Sequence, residues 1–125
     1  MGEPVEHDEA EYETALREWA ALTEVGAAAV DRNRQVDRRQ RAYLRIRSTS
    51  SGRALVRRLS LDADPRIRAW AAADLLGWDP EAGRDILTRL RDSGGPGSFE
   101  AKMTLTEFER GELSLDWDPD APQTR

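Results

Sequence analysis

The chain reads as all-α, and three observations carry that reading. Apolar residues recur at helical spacing in six separate stretches, while alternation of apolar and polar residues is confined to 113–119. Twice, at Asp64-Pro65 and Asp79-Pro80, a good N-cap residue precedes a proline at what would be the first helical position. Charged residues make up 34% of the chain and hydrophobic ones 38%, the balance expected of thin helical layers with solvated outer faces. The expectation is about six helices in antiparallel pairs within one domain over 8–111, followed by an extended tail over 112–125.

Residues 1–7 have no periodicity and are expected to be disordered. A first helix is expected over 8–24, where Tyr12, Leu16, Trp19 and Leu22 share a face and Glu9, Glu11 and Glu13 suit the positive end of the helix dipole. Gly26 either ends that helix or interrupts it. A second helix over 26–47 carries sparse apolar positions, among them Val30, Val36, Tyr43 and Ile46, and many arginines. The break at 48–52 offers three serines and a threonine as caps for a short helix with Leu55, Val56 and Leu59.

The stretch 64–78 is the one the rest is organised around. Asp64 caps it, Pro65 opens it, Gly77 stands where a left-handed residue would close it, and Ile67, Ala71 and Leu75 form a narrow stripe for close helix contact. Asp79-Pro80 opens the next helix, which holds Ala82, Ile86, Leu87 and Leu90. The loop 93–97 is too rich in glycine and proline to be helical, and Ser98 is expected to cap a last helix with Phe99, Met103, Leu105 and Phe108, up to Gly111. The alternation at 113–119 reads as a tail laid on the surface, because nothing else in the chain offers it a strand partner.

Composition narrows the function. There is no cysteine, so disulfides and thiolate metal sites are excluded. The apolar runs are too short to span a membrane, and the acidic start has no signal-peptide core, so a cytoplasmic location is expected. His7 is the sole histidine and falls in the segment expected to be loose, which leaves no base for serine activation and no imidazole-rich metal site. Gly94-Gly95-Pro96-Gly97 lacks the Lys-Ser/Thr pair and preceding strand of a phosphate loop. Asp62 and Asp64 are accounted for as turn and cap residues, and Asp116 and Asp118 fall short of a cation site. No catalytic residue, metal or cofactor is expected, and the chain is not expected to be an enzyme.

Charge is strongly segregated. Residues 1–31 carry a balance of −8 and residues 32–58 a balance of +9, within a chain of net charge −5. The arginine-rich segment 32–58 suggests a nucleic-acid binder, but a pI near 5.0 and an acidic helix immediately upstream make an intramolecular role the better expectation. Acids of 9–24 are therefore expected to face arginines of 32–47 across an antiparallel pair.

From Leu61 to Leu76 the chain resembles the second helix of a HEAT repeat, in the Asp-Pro corner, Arg68 one turn in, the Ala71-Ala72 pair and the closing Leu75-Leu76. The continuation through Phe99-Glu100-Ala101-Lys102-Met103-Thr104-Leu105 and Gly111-Glu112-Leu113 is similar to a small bacterial family with an αα-superhelix fold and no assigned activity. The resemblance covers about 50–113 and implies a short HEAT-like αα-superhelix. Members of that family occur beside polymorphic toxin genes, which implies an immunity role exercised by direct binding of a cognate toxin. A generic HEAT-repeat adaptor for another protein or peptide remains the alternative.

Partner-binding residues are expected on the face of 64–78 opposite Ile67, Ala71 and Leu75, namely Arg66, Trp70 and Asp74, with Lys102 and Glu107 added by the last helix. Arg68, next to Ile67, is expected to pair with a carboxylate of a neighbouring repeat. Trp78 is expected to plug a gap between helix pairs. Trp117 either packs the end of the domain or anchors a partner.

Overall fold

The structure, a computed structural model, describes residues 4–121, with side chains from residue 6 onward. Among the described residues six helices and no strand occur: α1 (Pro4–Glu24), α2 (Ala29–Ile46), α3 (Ser50–Leu59), α4 (Pro65–Leu75), α5 (Pro80–Ser93) and α6 (Ser98–Glu109). The expected loose ends at 1–3 and 122–125 lie outside the described residues. The chain forms two compact units, one of Met1–Gly52 with Asp116–Arg125 and one of Arg53–Leu115.

In the first unit α1 and α2 pack together. Helix α1 begins at Pro4, earlier than the expected Asp8, so His7 is an exposed helical residue. Proline suits the first helical position because its missing N–H would have had no partner there. Gly26 ends α1 at a positive φ, and α2 starts only at Ala29. Tyr12, Leu16, Trp19 and Ala20 from α1 and Ala42, Tyr43 and Ile46 from α2 are buried, with the rings of Tyr12 and Tyr43 centred 6.4 Å apart. Pairings ascend α1 as they descend α2, Asp8 with Arg45 and both Glu11 and Glu18 with Arg38, so the helices are antiparallel with the opposed charge blocks facing. Past α2, the Thr49 hydroxyl accepts from the Gly52 N–H and caps α3.

In the second unit α4 packs on α5, α5 on α6, and α4 on α6. Asp64 accepts from the Arg66 N–H at 2.9 Å and Asp79 from the Ala82 N–H at 3.2 Å, so both expected Asp-Pro corners form as read. Gly77, in contrast, is not left-handed. The chain leaves α4 in a right-handed turn, with the N–H groups of Gly77, Trp78 and Asp79 donating to carbonyls of Asp74 and Leu75, and Leu76 is the C-cap. Nor does Ser98 cap α6. Gly97 does, at φ 84°, and Ser98 is the first helical residue. A Cβ on Gly97 would stand 2.7 Å from the Pro65 carbonyl oxygen, so α6 starts against the start of α4. Gly83 allows a second close approach, since a Cβ there would stand 2.8 Å from the Ala72 carbonyl oxygen. Around these contacts Ala69, Ala72, Leu76, Leu87, Leu90, Ala101 and Leu105 form one buried cluster, covered at its edge by Phe108, Leu113 and Leu115.

Candidate functional site

Helix α4 sits inside its unit more deeply than its sequence implies. Ile67, Ala71 and Leu75 are buried as expected, but so are Ala69, Ala72 and Leu76 on a second face. At about 100° per residue these stripes leave one narrow sector, occupied by Arg66, Trp70 and Ala73, all half-buried. Asp74 does not belong to it. It is 1% exposed, turned from Trp70 toward the stripe of Ile67 and Ala71, and is unable to orient a partner as expected. Arg68 differs from expectation too. Its guanidinium donates to the carbonyls of Asp62 at 2.8 Å and Ala63 at 3.2 Å, closing the corner ahead of its own helix rather than pairing with a carboxylate of another repeat.

Helix α6 carries two of the exposed large apolar side chains of this unit. Ala101 and Leu105 point inward. Phe99 and Met103, one turn apart, are 69% and 42% exposed. Lys102 is exposed and Glu107 half-buried on the same helix. The sequence names Phe99, Met103, Leu105 and Phe108 together as apolar residues of the last helix, without separating inward from outward positions. The signal that separates them is register: only 101, 105 and 108 share the inward arc, and 99 and 103 fall opposite it.

A shallow groove of about 270 Å³ is a further concavity of the same unit, with Leu61, Ile86 and Leu90 as apolar lining and Ser60, Arg68 and Arg89 as polar lining. Its residues come from three separate segments, so no local pattern marks it. Its volume lies under the roughly 300–1,000 Å³ usual for small-molecule sites.

In the first unit the arginines are largely committed to the chain itself. Arg38 holds Glu11 in a two-pronged contact, Nε to Oε2 at 2.6 Å and Nη2 to Oε1 at 2.9 Å, and reaches Glu18 at 3.0 Å and Gln35 at 3.1 Å. That hydrogen bond from Arg38 pushes the Glu11 carboxyl below the usual glutamate range, and the same bond raises the Arg38 guanidinium above its ordinary value. Arg41 pairs with Asp120, Arg45 with Asp8 and Arg47 with Asp116. In the second unit Arg57 reaches Asp79 at 3.1 Å, and the Arg53 guanidinium lies 5.2 Å from the centre of the Trp78 ring. The Asp79 carboxyl is held below the usual aspartate range, first by the Ala82 N–H and then by Arg57.

Trp117 is placed by its backbone. Its carbonyl accepts from Gln40 Nε2 at 2.8 Å, and its ring is 36% exposed. Gln40 is fully buried, and its Oε1 accepts from the buried Arg39 at 2.9 Å.

Among the described residues no helix is long and apolar enough to cross a membrane, and no group of three or more His, Asp or Glu stands together as a metal site. No protein family, curated protein or solved structure matches the chain.

Proposed function

We propose that this chain is a non-catalytic protein-binding module, acting as an immunity protein that neutralises a bacterial toxin by covering it. The contact surface in this reading is the outer face of α6, with Arg66 and Trp70 contributed by α4, the helix that packs on it. The observation that supports it is the outward pair Phe99 and Met103: large apolar side chains at adjacent turns, exposed on a helix whose inner face is already satisfied. The run α4, α5, α6, with each helix packed on the next and the starts of α4 and α6 in contact, is compatible with the short HEAT-like αα-superhelix that the resemblance implies. The toxin as partner rests on that resemblance. A nucleic-acid role for 32–58 is disfavoured, because at least five of its ten arginines, among the described residues, form ion pairs with the chain's own carboxylates and another, Arg39, is buried.

The test is to sequence the flanking genes and co-express the chain with any toxin-like product encoded beside it; the absence of such a reading frame would count against the immunity reading. The unaltered chain should restore growth, and the double variant Phe99→Ala, Met103→Ala should lose that protection while melting within about 0.5 kcal/mol of the parent, as expected of surface truncations. Restored growth with both proteins would remove α6 as the contact surface. Failure of the unaltered chain to protect would remove the immunity reading.

A further inference from the structure

The segment after Leu115 is held on α2 by a set of groups that would read an extended acidic peptide. Arg47 Nη1 donates to Asp116, whose side chain is otherwise open to solvent. Arg41 Nε donates to both carboxylate oxygens of Asp120 at 2.9 Å. Between these two ion pairs Gln40 donates to the Trp117 backbone carbonyl. In tail order the α2 partners are Arg47, Gln40 and Arg41, so Asp116 is held at the C-terminal end of α2 and residues 117–120 about two turns nearer its start. An Asp118 side chain accepting from the Asp120 N–H at 2.9 Å shapes the end of the run.

These contacts are not alike in kind. The two ion pairs are exposed, and such pairs are individually weak and screened by salt. Gln40 is different, because its amide is buried and fixed from behind by Arg39, with its N–H aimed at a carbonyl. A buried amide donor left without a partner is costly, so any segment that covers this position is favoured if it places an acceptor such as a backbone carbonyl there. What α2 recognises is thus one main-chain carbonyl flanked by two carboxylates four residues apart. Neither the Trp117 ring nor any other feature unique to this tail is required by the polar contacts.

We propose that this face of α2 is a docking site for an extended acidic segment of a partner protein, and that residues 116–120 occupy it in cis until such a segment displaces them. Charge complementarity selects the occupant: Arg41 and Arg47 match carboxylates at the spacing of Asp116 and Asp120. The site lies in the first unit, on different residues from the α6 surface, and does not depend on the immunity reading.

The experiment is an amide NMR titration of the full chain with a synthetic peptide of the sequence of residues 116–121. In the full-chain variant Asp116→Lys, Asp120→Lys the tail is repelled from α2. That variant should bind the peptide about tenfold more tightly than the parent does, the size of competition a tethered segment exerts through its effective concentration. The shifts should fall on amides of 39–47, weaken with added salt, and vanish when Arg41→Glu and Arg47→Glu are added. If the lysine variant does not fold, Asp116→Asn, Asp120→Asn gives the same comparison with a smaller gain. Equal binding by parent and released variants, or binding indifferent to Arg41 and Arg47, would overturn the proposal. Equally tight binding of a single-stranded oligonucleotide of matched charge would overturn it too, marking a general anion surface. Shifts confined to α6 would belong to the other surface and would also count against it.

Discussion

Around Arg38, the first unit gathers Glu11, Glu18 and Gln35 on one guanidinium, whereas in the second unit Leu87 belongs to a buried cluster of alanines and leucines. The first unit joins a seam of Tyr12, Leu16, Trp19, Tyr43 and Ile46 to a border of ion pairs; the second relies on alanines and glycines that let helix backbones approach. Charge and close packing have different tolerances. An exposed ion pair changes stability by only about 0–1 kcal/mol, so its removal is felt mainly as altered pH and salt dependence. A close-packed aliphatic cluster offers no such margin, because the surroundings relax only partly around a lost side chain. The first unit should therefore respond to solution conditions and the second to side-chain volume.

The largest expected effect is in the second unit. Leu87→Ala should destabilise the protein by about 2–5 kcal/mol, read from denaturant unfolding at neutral pH, with little dependence on salt. A loss below about 1 kcal/mol would mean that the cluster collapses around the gap and that the contrast between the units is overstated.

An intermediate effect is expected at the corner that starts α4. Asp64→Ala removes the acceptor for the Arg66 N–H and should cost about 1 kcal/mol, while Asp64→Asn or Asp64→Ser should recover most of it. Equal losses in all three variants would assign the effect to charge rather than to capping.

The smallest effect at neutral pH, and the most distinctive in its pH profile, belongs to Glu11. Its folded carboxyl titrates below the usual glutamate range, so the stability linked to it is fully present above the unfolded value. That stability drains away as the pH falls from the unfolded value through the lowered folded one. Glu11→Gln should flatten this part of the acid limb. An unchanged acid limb would show that the two-pronged contact with Arg38 contributes nothing to stability in solution.

How legible the chain was depends on the distance over which each feature is determined. Asp64 and Asp79 were readable as caps because a side-chain acceptor and the N–H it serves are two or three residues apart. The antiparallel α1–α2 pair was readable because neighbouring helices joined by a short loop bring adjacent charge blocks together. The outward placement of Phe99 and Met103 was latent in the spacing of Ala101, Leu105 and Phe108, but needed the inward direction of α6 to be known. Asp74 was misplaced because a helix covered on two sides has no single polar face, and the number of neighbours is not written in its periodicity. Gly77 looked like a left-handed terminus and Gly97 like a linker; right-handed closure at the first and contact with Pro65 at the second depend on where the chain goes next. The hold of Gln40 on Trp117 spans 77 residues, and no local pattern encodes a contact of that range. Short-range hydrogen bonding and helical phase are properties of consecutive residues and survive in the sequence as motifs. Burial on a second face, close backbone approach and the docking of the tail are properties of the packed chain, settled when competing surfaces are removed from water together.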